Sequence, residues 1–66
     1  MNKEIKKIIK EASKWSGNVI EAETPEDAII KIKAIGFSRA CEAELIASEF
    51  CQQIEALTNQ LNKLPQ

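Results

Sequence analysis

The chain has 66 residues, with nine basic and ten acidic side chains, two cysteines and no histidine or tyrosine. That length holds one domain at most, which buries only about 60% of its unfolded surface. The residue types exclude a metal centre of zinc spacing, and a net charge of −1 excludes a global field drawing the chain to nucleic acid or membrane.

Ile5, Ile8, Ile9, Ala12 and Trp15 recur at steps of three and four, which predicts a helix over residues 2–15. Lys3, Lys6, Lys7, Lys10 and Lys14 fall on the opposite side, within an arc of about 100°. Charge runs through this segment, so it is not a signal peptide. No apolar run reaches the roughly 20 residues of a membrane span. A cytoplasmic protein with reduced thiols is therefore expected.

Ser16-Gly17-Asn18 predicts a stop, because glycine accepts the left-handed conformation that ends helices. "VIEAE", residues 19–23, is too short for a helix of its own. It reads as an extended connector, and as a strand only if something pairs with it.

"TPEDAIIKIKAIG" carries the clearest punctuation. Thr24 suits an N-cap, Pro25 the first helical position, and Glu26 and Asp27 the positive end of the dipole. Gly36 is expected at C′, with Phe37 closing over the last turn. The segment is apolar on most sides, so it is expected to be the most buried helix.

Ser38 is a plausible cap for a third helix over Arg39 to about Lys63, with Pro65 marking its end. Ala47, Ile54 and Leu61 repeat every seven residues, as do Ala43, Phe50, Leu57 and Leu64, giving a coiled-coil-like stripe over three heptads. Glu42, Glu44, Glu49 and Glu55 border it. Cys41 and Cys51 lie on this one helix, about 15 Å apart, too far for the roughly 4.4–6.8 Å Cα spacing of a disulfide.

The chemistry of catalysis is missing. No base accompanies either cysteine, no glycine-rich phosphate loop exists, and Glu21, Glu23, Glu26 and Asp27 read as cap and loop charges. A non-enzyme without cofactor is expected. The lysine arc contains like-charge pairs at four-residue spacing, Lys3/Lys7, Lys6/Lys10 and Lys10/Lys14, each costing roughly 0.2–0.5 kcal/mol. An arc kept at that cost suits an anionic partner surface. It points away from the glutamates of helix three in its own chain but can meet those of another copy.

"IGFSRACEAELI", residues 35–46, resembles the turn and second helix of prophage-type helix-turn-helix regulators. That resemblance implies DNA binding through residues 27–49, with Arg39 on the nucleic acid. The chain departs from the pattern at Ile32 and Glu42, and its would-be reading helix presents Glu42, Glu44 and Glu49 to a polyanion.

The sequence thus predicts an all-α, three-helix bundle over residues 1–66. The expected function is a small protein-binding regulator or adaptor of bacterial or phage kind. Lys3, Lys6, Lys7, Lys10 and Lys14 would meet an acidic protein partner, and Phe50, Ile54, Leu57 and Leu61 would form the seam of a homodimer. Nucleic acid is the alternative partner.

Overall fold

A computed structural model describes residues 2–39 and 41–63, excepting the side chains of residues 62 and 63, and forms three helices: α1 Lys3–Ser16, α2 Pro25–Phe37 and α3 Cys41–Lys63. Among the described residues there is no strand, so the chain is a small all-α three-helix bundle. Among the described residues, no helix is long and apolar enough to cross a membrane. Leu64 and Pro65, assigned to the heptad and the stop, lie outside the described residues.

Local chemistry sets most boundaries. The Asn2 side chain caps α1, accepting from the N–H groups of Glu4 at 2.7 Å and Ile5 at 3.3 Å. Gly17, at φ 75°, ends the helix as expected, its N–H donating to the Ser13 carbonyl. Thr24 caps α2 by accepting from the Asp27 N–H at 3.1 Å, and Pro25 opens the helix.

The connector has no regular secondary structure and pairs with no strand among the described residues. Ile20 is buried in the core. The Ile20 N–H donates to Ser13 Oγ at 3.0 Å, which answers where its backbone hydrogen bond goes. Ser16, also buried, has its hydroxyl 3.1 Å from both the Ser13 and Asn18 carbonyl oxygens, with one proton to share between them, and accepts from the Asn18 N–H.

The second turn corrects three expectations. α2 runs through Gly36 to Phe37, so Gly36 is helical rather than left-handed. Its lack of a side chain serves packing: a Cβ there would lie 2.6 Å from Ala47 Cβ and 3.1 Å from the Ala43 carbonyl oxygen. Phe37 does not close over the helix end and is 81% exposed. Ser38 ends α2 instead of starting α3. Its N–H donates to the Ala34 carbonyl and its hydroxyl to that of Ile35, and α3 begins at Cys41.

α2 packs most extensively along α3, and α1 lies across the pair, more on α3 than on α2. The core joins Ile5, Ile9 and Ala12 of α1, Ile20 of the connector, Ala28 and Ile32 of α2, and Ala47, Cys51 and Ile54 of α3. Trp15 and Phe50 close one edge with ring centroids 5.8 Å apart. α2 is not buried all round, because Ile30 is 66% exposed on its outer side.

Candidate functional site

Two surfaces stand out, and the helices that present them are amphipathic to different degrees. On α1, burial falls on Ile5, Ile9, Ala12 and Ser16. The helical period then carries Lys3, Lys6, Lys7, Lys10 and Lys14 to the far side, where all five are exposed. Among the described residues the one ion pair is Lys31 with Asp27, at 3.1 Å within α2. The five lysines therefore form a cationic face with no carboxylate partner in the described chain. Glu4 and Glu11 sit at its margin. Because this face lies opposite the packed one, a ligand reaches it without disturbing the core.

The four residues expected to form a dimer seam share one face of α3 but differ in exposure. Ile54 is 0% exposed and belongs to the core of its own chain. Phe50 packs on Trp15, Leu57 is half-buried against the core, and Leu61 is exposed. The heptad repeat is spent within one chain because α2 and α1 lie on the stripe. Of the four, Leu61 alone is left exposed by that packing.

Arg39, the candidate for nucleic acid, is engaged elsewhere. Its guanidinium donates to the Ser16 carbonyl at 2.6 Å and lies 5.7 Å from the Trp15 ring centroid. It ties the α2–α3 corner to the end of α1, where a cation also suits the helix dipole. The glycine-turn geometry of a helix-turn-helix is absent too, since Gly17 alone among the described residues has positive φ. Near its start, α3 exposes Glu42, Glu44 and Glu49.

Thiol chemistry divides between the two cysteines. Cys41 is exposed at the first turn of α3. Cys51 is buried, its thiol donating to the Ile29 carbonyl at 3.6 Å, and desolvation pushes its pKa up, with Lys33 opposing and Glu55 adding slightly. A protonated buried thiol is a packing group. Among the described residues, no three acidic or cysteine side chains gather as metal ligands.

The sequence reading missed the second surface, the outer side of α2. Ile30, Ala34 and Phe37 lie exposed there at steps of four and three. Its signal was the weak amphipathicity of "AIIKIKAI", read as deep burial when it meant two apolar sides. No protein-family model, no curated protein and no solved structure matches this chain.

Proposed function

We propose that this protein is a non-enzymatic regulator or adaptor that presents the lysine face of α1 to an acidic surface of a partner protein. The observation carrying this reading is that five exposed lysines share one arc of α1 with no acid partner among the described residues. Three of their pairings are repulsive, costing about 1 kcal/mol together. An opposing surface of carboxylates removes that repulsion and steers encounter through long-range attraction.

The test is affinity capture from cells that make the protein, comparing it with the triple variant Lys6→Glu, Lys7→Glu, Lys10→Glu. Captured proteins are expected to be lost with the variant and to elute at moderate salt, because exposed charges are screened. Helical circular dichroism should be unchanged. Capture of the same proteins by the variant would reduce the face to solvated surface. Capture abolished by nuclease would instead assign the lysines to a phosphate backbone, a sequence-blind role.

A further inference from the structure

α2 is apolar around more of its circumference than its own fold covers. Ala28, Ile32 and Gly36 face the core, while Ile30, Ala34 and Phe37 form a stripe in water on the other side. Val19, 82% exposed, extends the stripe where the connector passes Ala34. A helix apolar on most sides is normally buried on most sides, and a contiguous exposed apolar patch marks an interaction site.

The charges bordering the stripe indicate what covers it. Glu26 and Lys33 lie on one edge, two helical turns or about 10.5 Å apart. Both are exposed, and neither is ion-paired among the described residues. Asp27 and Lys31 lie on the other edge. On both edges the acid is nearer the N-terminus and the base nearer the C-terminus. A second α2 running antiparallel presents the reverse order and so matches both edges at once.

We infer that two copies of this chain associate through the outer face of α2, antiparallel about a two-fold axis close to Ile30. Such an interface is isologous, each side offering the same patch. In this register Ile30 meets Ile30 of the second copy, and Glu26 meets its Lys33. Ala34 and Phe37 then lie towards the N-terminal end of the second copy's α2. The helix dipoles oppose, which adds favourably. The patch is at the small end of interface sizes, so the dimer is reversible and concentration-dependent.

The test is mass by sedimentation equilibrium from micromolar to millimolar protein, on wild type and variants. Wild type should pass from the mass of one chain to that of two. Ile30→Asp and Phe37→Ser, both at exposed positions, should stay monomeric with unchanged helical circular dichroism. Lys33→Glu should weaken association tenfold or more, and adding Glu26→Lys to it should restore wild-type association. A wild type that stays monomeric overturns the inference, as does a dimer indifferent to Ile30→Asp and Phe37→Ser. Failure of the double reversal to rescue overturns the antiparallel register. None of these variants touches the lysine face of α1, so this result stands or falls separately from the partner reading.

Discussion

Gly36 shows how one residue's role depends on what lies opposite. Replacing it with alanine gains about 1 kcal/mol of helix propensity. It also drives a methyl into Ala47, with backbone of α3 close behind, and overpacking of this kind costs about 1–3 kcal/mol. A net loss is expected in denaturant melts, with Ala47→Gly in the same chain recovering part of it. Helix termination at Gly36 would give no such rescue. Cys51 offers a second residue-scale check. In native protein a thiol reagent should titrate Cys41 quickly and reach Cys51 only on unfolding. Burial raises the folded-state pKa of Cys51 above its unfolded value. Its contribution to stability is therefore full below the ordinary thiol pKa and is lost as pH climbs through the folded value. Melts of wild type should fall away more steeply at alkaline pH than those of Cys51→Ala.

At the scale of elements, what can be read from sequence depends on whether the signal is local. Gly17, Thr24 and Pro25 act on backbone groups within four residues of themselves, and the end of the first helix and the start of the second followed from them. Removing the Thr24 hydroxyl by Thr24→Ala should cost about 1 kcal/mol, read as a lowered melting temperature. The corner at 36–39 was misread because its determinants are distant: Ala47 decides Gly36, and Ser16 with Trp15 decides Arg39. Arg39→Lys keeps the charge but loses the planar fork on the carbonyl and the ring, so a small loss of stability is expected. The lysine face was legible because helical periodicity alone fixes it. The α2 stripe was not, since apolar residues on two sides of a helix look in sequence like one deeply buried helix. Periodicity tells which residues share a side, and only packing tells which side meets the core.

Among the described residues, nine buried apolar side chains form the core that holds the molecule. For 66 residues, stability of about 3–10 kcal/mol is ordinary. Ile32→Ala, at a fully buried site, removes about 2–5 kcal/mol, a large share of that stability, and should lower the melting temperature markedly by circular dichroism. The unequal packing of the helices has a further consequence. α2 and α3 are neighbours in the chain and share the most extensive interface, so this helix pair is expected to form first on the folding path. α1 is expected to join last, through a connector pinned at Ile20 and a corner pinned by Arg39. In native-state hydrogen exchange, the amides of α1 should open as a unit at lower free energy than those around Ile32 and Cys51. The helix bearing the lysines is then the part of the molecule able to detach while the remaining pair stays folded.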